Sequence, residues 1–402
     1  MVDMQGVIAM VLAGGRGERL MPLTAERAKP SVPIAGKYRI IDFIMNSLVN
    51  SGLNEIRVLI QFKSQPLYRH ITALYPSAPI HNRFIEPVPA QMRVGQGWYS
   101  GTADAVYQNS YMLEDFGFEV AAIFSGDHIF VVDVSQMYEY HCHKEADFTI
   151  AAIPTPVEQA AGQLGVIVVD EQDRIIGFDE KPAVPKEIPG KPGWCYASMG
   201  NYLANIPILT ELLKEDAQNE ESSHDFGRDV IPMMLDRGLA VYAYDFHTNK
   251  IAGQEEPYWR DLGTIASYHA ANMDVCSVDP VFNLYNRMWP LRSPADNSPP
   301  HKGGLGSRLD NYLISGGCIV NKSEIYSSVL SPFVRVEASQ VMESVIFSNV
   351  NIGPGSRLKR CIVDKNVRIP PGTMIGFSAE EDSARGLAVV DGITVVPKSF
   401  QF

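Results

Sequence analysis

A glycine-rich turn with basic residues beside it lies near the start of the chain. The apolar run 6–13 predicts a buried strand. Three glycines follow it: Gly14, Gly15 and Gly17. Glycine permits backbone conformations that other residues avoid, so such a turn can aim several N–H groups at one anion. Three basic residues lie close by in the sequence: Arg16, Arg19 and Lys29. This combination predicts a binding site for a polyphosphate.

Two known phosphate-binding patterns do not describe this turn. It lacks G-x-x-x-x-G-K-[ST], so it is not a Walker P-loop, and it lacks the dinucleotide pattern G-x-G-x-x-G. An ordinary strand-to-loop turn with surface basic residues is the simpler interpretation. The glycines combined with Arg19 and the pair Lys29-Pro30 are more specific than the glycines alone.

Two aspartates are candidate magnesium ligands. Asp127 follows the buried-strand pattern 120–124, where a carboxylate at a strand end suits Mg²⁺, although a helix-capping aspartate is the alternative. Asp261 follows the strand-like run 239–246 in the stretch Tyr258–Thr264. Two carboxylates would suit one Mg²⁺ that bridges phosphate oxygens. Their separation in sequence does not show that they meet in space.

Two further stretches carry groups that could bind a ligand. Residues 164–182 predict a hairpin ending in Glu180-Lys181-Pro182, where Glu180 could accept from sugar hydroxyls and Lys181 could pair with a phosphate. A cross-strand surface ion pair is the alternative. In the stretch 95–105, glycines, Trp98 and Tyr99 precede a predicted helix and could approach a nucleobase or ribose, or form a loop with two half-buried aromatics.

The elements around these residues predict an α/β fold. Short apolar runs alternate with amphipathic stretches up to about residue 150. This alternation implies a largely parallel sheet with ligands at the carboxyl ends of its strands. The predicted strands are 6–13, 55–61, 120–125 and 147–153, and the predicted helices lie near 40–51, 64–74, 103–115 and 134–145.

The C-terminal part has a different rhythm. Residues 286–310 are rich in proline and glycine and predict a linker. From residue 311 aliphatic residues recur about every six positions, as at Ile346, Ile352 and Leu358. This period predicts a parallel β-helix of hexapeptide coils, with an antiparallel β domain as the alternative.

Composition limits the class of protein. The 402 residues suffice for two or three domains, and the formal net charge of −12 argues against non-specific binding to nucleic acid or anionic membranes. No apolar run approaches a membrane span, and no signal peptide is expected. The five cysteines are scattered without metal-type spacing, which predicts reduced thiols in a cytoplasmic protein.

Taken together, these motifs resemble those of the glucose-1-phosphate adenylyltransferase family, the ADP-glucose pyrophosphorylases. The resemblance covers essentially the whole chain. It includes the stretches 14–20, 27–30, 36–43, 98–105, 126–129, 180–182, 197–200, 223–227 and 258–264. Those at 14–20 and 180–182 occur across sugar nucleotidylyltransferases, whereas 38–43 and 98–105 point to the ADP-glucose branch.

The resemblance implies a fold and a reaction. The expected fold is α/β, with a Rossmann-like nucleotidyltransferase domain over 1–285 and a mostly parallel sheet, a linker over 286–310, and a left-handed parallel β-helix over 311–402 that serves regulation and assembly. The implied reaction is Mg²⁺-dependent: ATP and α-D-glucose 1-phosphate give ADP-glucose and pyrophosphate, for glycogen or starch synthesis. The implied partners are a sugar-phosphate or 3-phosphoglycerate effector and a homotetramer.

Residue roles follow by matching positions. Asp127, Lys29 and Arg19 match catalytic positions, and Asp127 and Asp261 match the metal ligands. Glucose 1-phosphate positions are Tyr99, Gly165, Glu180, Lys181 and Ser198. Nucleotide positions are Leu12, Ala13, Gly14, Gly15, Arg16, Gly17, Gln91, Gly101 and Thr102. Regulatory positions are Lys37, Arg39, Gln61, Trp98 and Lys398.

Three competing interpretations remain at this stage. A related transferase could use UTP, dTTP or GTP, because sequence does not settle the shape of the base pocket. A non-catalytic regulatory subunit would be expected to lack Asp127, Lys29 or Lys181, and all three are present. A β-helix acyltransferase would be expected to carry a histidine in its coils. The chain has Asn54-Glu55 where the best-known fructose 1,6-bisphosphate-activated members are basic, so the effector stays open.

Overall fold

The computed structural model describes residues 3–76, 83–91, 97–114, 117–295, 297–398 and 400–402. These residues form two compact units. The first unit comprises Met1–Gly15, Ile44–Gly126 and Val131–Ala252. The second unit comprises Arg16–Phe43, Asp127–Phe130 and Gly253–Phe402.

Helices and strands are numbered in chain order over the described residues. The α-helices are α1 (Ile40–Asn50), α2 (Gln65–Leu74), α3 (Thr102–Tyr107), α4 (Tyr111–Glu114), α5 (Val134–His143), α6 (Val157–Ala160), α7 (Ile206–Asp216), α8 (Ile231–Asp236), α9 (Ile265–Asp274) and α10 (Ala379–Ala384). The strands before the C-terminal coils are β1 (Val7–Leu12), β2 (Pro33–Ile34), β3 (Tyr38–Arg39), β4 (Glu55–Ile60), β5 (Phe84–Pro89), β6 (Val120–Ser125), β7 (His128–Phe130), β8 (Phe148–Pro156), β9 (Val166–Val169), β10 (Ile175–Asp179), β11 (Trp194–Asn205), β12 (Val241–Asp245) and β13 (Trp259–Asp261).

The remaining strands are β14 (Lys302–Gly303), β15 (Arg308–Ile314), β16 (Ile319–Asn321), β17 (Glu324–Leu330), β18 (Arg335–Glu337), β19 (Gln340–Met342), β20 (Val345–Ile346), β21 (Asn351–Ile352), β22 (Arg357–Lys359), β23 (Cys361–Val363), β24 (Arg368–Ile369), β25 (Met374–Ile375), β26 (Ala388–Val390) and β27 (Ile393–Val396).

The first unit is built on one large sheet whose centre is parallel. Strand β1 pairs in parallel with β4 and β6, and β5 extends the parallel part beyond β4. Strand β11 joins antiparallel to β6 and turns the rest of the sheet into a mixed one. Strands β1 and β6 are almost wholly buried, as expected for strands covered on both faces. The predicted α/β fold is confirmed.

The parallel register fixes where the loops emerge. Leu12, the last residue of β1, pairs with Ser125, the last residue of β6. The loops after these strands therefore leave from the same edge of the sheet, as expected for ligand-binding loops of such folds.

One predicted helix is divided in two. The pattern 103–115 forms α3 and α4 with a turn at 108–110 between them. Asn109 donates to the carbonyl oxygen of Ala105 at 2.8 Å and to the Tyr99 hydroxyl at 3.0 Å. An asparagine that bonds locally in this way competes with the regular helix ladder, which explains why the helix does not run through.

The second unit ends in parallel coils, which confirms the predicted hexapeptide-repeat domain. Three columns of aliphatic side chains stack in register, and their members are Val320, Val336, Ile352 and Ile369; Ile325, Val341, Leu358 and Ile375; and Leu330, Ile346, Val363 and Val396. All of these side chains are buried. The aliphatics recur in steps of five or six residues rather than strictly six, because each coil contains 16 or 17 residues.

Buried serines support the corners of the coils. Ser323 accepts from the backbone N–H of Ser339, and Ser339 accepts from that of Ser356, both at 3.2 Å. The hydroxyls of Ser339 and Ser356 in turn donate to carbonyl oxygens, so these buried polar groups are satisfied.

None of the helices in the described part of the chain has the length and apolar composition needed to cross a membrane.

Candidate active site

A buried lysine in the second unit contacts both candidate metal ligands. Lys29 Nζ lies 2.8 Å from Asp127 Oδ2 and 3.5 Å from Asp261 Oδ1. The Lys29 side chain is only 7% exposed, whereas those of Asp127 and Asp261 are 32% and 29% exposed. The two carboxylates, which sequence alone does not bring together, therefore share one cation and keep oxygens accessible to a ligand. We call Lys29, Asp127, His128 and Asp261 the carboxylate–lysine cluster.

A two-stranded ribbon assembles this cluster. Strands β7 and β13 pair antiparallel, with His128 opposite Asp261. His128 Nε2 lies 3.5 Å from Asp127 Oδ1 and 3.5 Å from Asp261 Oδ1. The His128 ring packs edge-on against Trp259, with the ring centroids 5.6 Å apart. The ribbon thus holds the two carboxylates side by side.

Gly17 allows Lys29 to occupy this place. Its φ is +66°, a region that side-chain-bearing residues rarely adopt. A Cβ atom there would lie 2.7 Å from Lys29 Cβ and 3.2 Å from Thr24 Cγ2. The Thr24 hydroxyl donates to the Gly17 carbonyl oxygen at 2.9 Å. The glycine is therefore required by both its backbone conformation and its contact with Lys29.

A second glycine brings Arg19 toward Asp261. A Cβ at Gly263 would lie 2.7 Å from Asp261 Oδ2 and 3.0 Å from a terminal nitrogen of Arg19. Arg19 is exposed and makes no ion pair with any of the described residues. Its guanidinium is available to an anionic ligand beside the carboxylates. Arg16 is also exposed and lies 3.9 Å from Glu18.

In the first unit, Gln61 joins the glycine turn to the aromatic loop. Gln61 Oε1 accepts from the backbone N–H of Tyr99 at 2.8 Å, and its Cβ would be 3.2 Å from a Cβ at Gly14. Tyr99 is half-buried, and burial raises the pKa of its hydroxyl. Trp98 is 65% exposed. The structure therefore gives Gln61 a direct contact with the segment that carries Trp98 and Tyr99.

The other predicted nucleotide residues divide into two groups. Leu12 ends strand β1, and Ala13 follows it with its N–H donating to the Leu59 carbonyl oxygen at 2.9 Å. Gly15 and Gln91 are exposed. Gly101 and Thr102 instead contact the segment 223–226: Thr102 Oγ1 lies 3.0 Å from Asp225 Oδ2. These last two residues therefore have a clear structural task.

Four of the five predicted sugar-phosphate residues lie around the β9–β10 hairpin, while Tyr99 contacts Gln61 and Asn109 instead. A Cβ at Gly165 would lie 3.1 Å from Glu180 Oε2 and 2.8 Å from the Phe178 ring. The Ser198 N–H donates to the Gly165 carbonyl oxygen at 2.9 Å. Lys181, which has a φ of +50°, pairs with its neighbour Glu180 at 3.2 Å rather than across the strands. Gly165, Glu180, Lys181 and Ser198 thus form one local group.

Comparison with known proteins shows the family of this chain. The chain matches the family described as "Nucleotidyl transferase" over residues 8–278 and that described as "GlmU-like, C-terminal hexapeptide" over residues 296–396. It is 47% identical over 402 residues to "Glucose-1-phosphate adenylyltransferase 1" of Vibrio parahaemolyticus, with 98% of each chain covered. It is 49% identical to "Glucose-1-phosphate adenylyltransferase" of Thermus thermophilus, covering 98% of this chain and 99% of that protein. The chain belongs to the glucose-1-phosphate adenylyltransferase family.

The protein is therefore an enzyme of the nucleotidyltransferase class. A third family member, from Deinococcus radiodurans, is 46% identical over 98% of this chain. The predicted family and enzyme class are confirmed by these relatives.

Three of the predicted regulatory residues, Lys37, Arg39 and Lys398, lie in the second unit. Lys37 is exposed, with its Nζ 5.2 Å from the Tyr38 ring centroid. The Arg39 backbone N–H donates to Asp42 at 2.9 Å, and burial lowers the pKa of the Arg39 guanidinium. Lys398 Nζ pairs with Glu26 at 2.6 Å.

Two further basic residues accompany them, and the sequence pattern assigns no role to either. Burial, followed by the charges of Arg39, Arg27 and Lys398, lowers the pKa of Lys365 to about 8, although Asp364 acts in the opposite direction. Arg27 makes two bonds to Asp364, at 2.9 and 3.0 Å, in a pair whose side chains are 8% and 3% exposed. We call Arg27, Arg39, Lys365 and Lys398 the basic cluster.

The predicted site residues divide between the two units. The second unit contains the carboxylate–lysine cluster, the basic cluster, Arg16, Gly17, Arg19 and Lys37. The other predicted site residues belong to the first unit. The described residues contain no group of three or more His, Cys, Asp or Glu side chains arranged to hold a metal ion.

Proposed function

We propose that this enzyme transfers the adenylyl group of ATP to α-D-glucose 1-phosphate, giving ADP-glucose and pyrophosphate. The observation that carries the proposal is the carboxylate–lysine cluster, in which Lys29 is buried against two accessible carboxylates. The relatives that are 46–49% identical are named glucose-1-phosphate adenylyltransferases, and these names indicate the substrates. ADP-glucose would then be the activated donor for glycogen or another α-glucan.

This reaction requires positive charge from the protein rather than a general base. The phosphate of the sugar is already an anion at neutral pH, so its oxygen can attack the α-phosphorus of ATP in line while pyrophosphate leaves. The obstacle is repulsion between two anions. Lys29, Arg19 and Lys181 would reduce it, together with backbone N–H groups of the glycine turn. Positioning and charge stabilisation then supply most of the acceleration.

Asp127 and Asp261 are suited to hold Mg²⁺. Their oxygens are hard donors, and Mg²⁺ in phosphoryl-transfer sites is typically bound by one or two carboxylates with substrate phosphates and water. Bound there, Mg²⁺ would neutralise charge on the phosphate oxygens. Lys29 contacts both carboxylates, so its Nζ can turn from them toward a phosphate when the substrates bind.

The remaining predicted roles concern binding of the sugar phosphate and of the nucleotide. Glu180 and Ser198 would hold the sugar, Lys181 its phosphate, and Tyr99 and Gly165 would line the same place. The turn Leu12–Gly17, with Gln91, Gly101 and Thr102, would hold the nucleotide. The contacts of Gly165 with Glu180 and Ser198 support a common sugar site.

An anionic effector is proposed for the basic cluster, with Lys37 beside it. The lowered pKa of Lys365 reflects burial among cations, and a bound phosphate would relieve that repulsion. A sugar phosphate or 3-phosphoglycerate has the required charge. Gln61 and Trp98 would link binding of the effector to the active site. A homotetramer of 44.4 kDa chains and the domain boundaries at 285 and 310 stay predictions. Light scattering would test the tetramer.

The test is pyrophosphate release from glucose 1-phosphate and Mg²⁺ with ATP, UTP, dTTP and GTP in parallel. We expect a strong preference for ATP, increased by one of a panel of sugar phosphates and 3-phosphoglycerate. Preference for another nucleotide would overturn the adenylyl assignment. Absence of turnover with every nucleotide would favour a regulatory subunit. The control is Asp127→Asn, which should release no more pyrophosphate than the reagents alone.

A further inference from the structure

Asp216, a buried carboxylate in the first unit with no role in the proposed reaction, binds the segment 222–224. Asp216 ends helix α7, and its side chain is 3% exposed. Its Oδ1 accepts from the Ser222 hydroxyl at 2.6 Å, and its Oδ2 lies 2.9 Å from His224 Nδ1. The His224 N–H also donates to Ser222 Oγ at 2.9 Å. His224 has a φ of +55°, which costs energy outside glycine and must be held by such contacts.

The segment after Asp216 contacts Gly101 and Thr102, two residues of the proposed nucleotide site. The His224 carbonyl oxygen accepts from the Ala103 N–H at 2.9 Å. A Cβ at Gly101 would collide with that same oxygen, so no side chain fits between them. Thr102 Oγ1 accepts from the Phe226 N–H at 3.0 Å. The start of helix α3 is therefore fixed by residues 224–226.

The same segment reaches the proposed sugar group through one aromatic ring. Asp225 Oδ1 accepts from the Gly227 N–H at 3.0 Å. A Cβ at Gly227 would lie 3.2 Å from the Phe178 ring, and a Cβ at Gly165 would lie 2.8 Å from that ring. Phe178 is thus held between two glycines, two residues before Glu180.

We propose that Asp216 is a positioning residue that fixes the nucleotide loop and the sugar group together. It acts through Ser222 and His224 on Gly101 and Thr102, and through Gly227 and Phe178 on Glu180. Because both sets depend on one carboxylate, loss of Asp216 should weaken both substrates at once. This inference rests on the proposed function for the identity of those substrates.

The kinetic test compares Asp216→Ala with Asp216→Asn. Alanine removes both hydrogen bonds, so KM should rise about tenfold for ATP and for glucose 1-phosphate, with a smaller change in kcat. Asparagine can still accept from Ser222 and can donate to an unprotonated His224 Nδ1, so its KM values should return to within about twofold of wild type. The matched control is Glu215→Gln, an exposed neighbour paired with Arg237. A KM increase for one substrate only, or no rescue by asparagine, would overturn the proposal.

Hydrogen exchange supplies a readout that does not depend on turnover. The amides of Ala103 and Ser198 should exchange faster in Asp216→Ala than in wild type, while those of the β-helix coils stay unchanged. If Asp216→Ala does not fold, Ser222→Ala removes only the Ser222 bonds and should give a smaller change in the same direction. Unchanged exchange at both amides would overturn the proposal. Failure of the proposed function would instead leave the wild type inactive with these exchange differences intact.

Discussion

Replacing Gly17 by alanine should displace the Lys29 side chain without removing or adding any charge. The added Cβ would lie 2.7 Å from Lys29 Cβ, whereas ordinary contacts begin at 3.4 Å, so Lys29 must move by about 0.7 Å. Alanine at a φ of +66° also costs about 1–2 kcal/mol of folding free energy. A misplacement near 1 Å can cost about 100-fold in rate, so we expect kcat/KM to fall about 10- to 100-fold.

Gly52→Ala is the matched control for backbone strain. Gly52 has a φ of +88°, and a Cβ atom added there would meet nothing within 4 Å, so its variant carries the strain without a collision. Urea unfolding should show a loss of stability for both variants, larger for Gly17→Ala because of its collision, while kcat/KM for pyrophosphate release should fall only in Gly17→Ala. Equal kcat/KM values in the two variants would refute the claim that Gly17 holds Lys29 in place. Lys29→Gln would then show whether the lysine matters by itself.

The other predictions concern charged residues. Asp127→Asn should lower kcat at least about 1,000-fold with unchanged circular dichroism, and near-full activity would remove Asp127 from the mechanism. Lys181→Ala should raise KM for glucose 1-phosphate about tenfold with little change for ATP, and an unchanged KM would contradict its proposed contact. Because the pKa of Lys365 falls from 10.5 to about 8, the unfolded chain binds the extra proton between these values. The contribution of Lys365 to the free energy of unfolding should therefore rise over that pH window. In urea titrations the stability of wild type relative to Lys365→Met should increase from pH 8 to 10.5, and a constant difference would contradict the prediction.

Local patterns predict much of the fold. Strand β6 has the predicted bounds, β1 and β4 lie within one residue of theirs, and the β9–β10 hairpin lies within 164–182. Apolar runs and turn residues act over a few positions, so one sequence is enough to see them. The coil period is equally visible, although the alternation of five and six emerges only from the stacking of complete coils.

The pairings within the candidate site cannot be predicted in the same way. Lys29 is 98 residues from Asp127 and 232 from Asp261, and Arg27 is 337 from Asp364. No local pattern encodes such contacts. The β7–β13 register places Asp261 opposite His128, next to Asp127, and that register is itself a long-range pairing. Asp216 and His224 are eight residues apart, close enough for a local pattern to show them. That pairing is hidden because Asp225 caps the following helical turn, accepting from the Gly227 and Arg228 N–H groups, and such a cap already accounts for the polar residues of 223–227.

The stacked coils also restrict how this protein can evolve in length. Between residues 319 and 375 each aliphatic side chain pairs with members of its own column 16 or 17 residues away, so a complete coil is the smallest piece whose removal leaves the columns aligned. A deletion of any other size inside 319–369 would move aliphatic side chains to the outside. Natural insertions and deletions among its relatives should therefore cluster at one coil length, or at the corners between strands, where a bulging loop leaves the columns untouched.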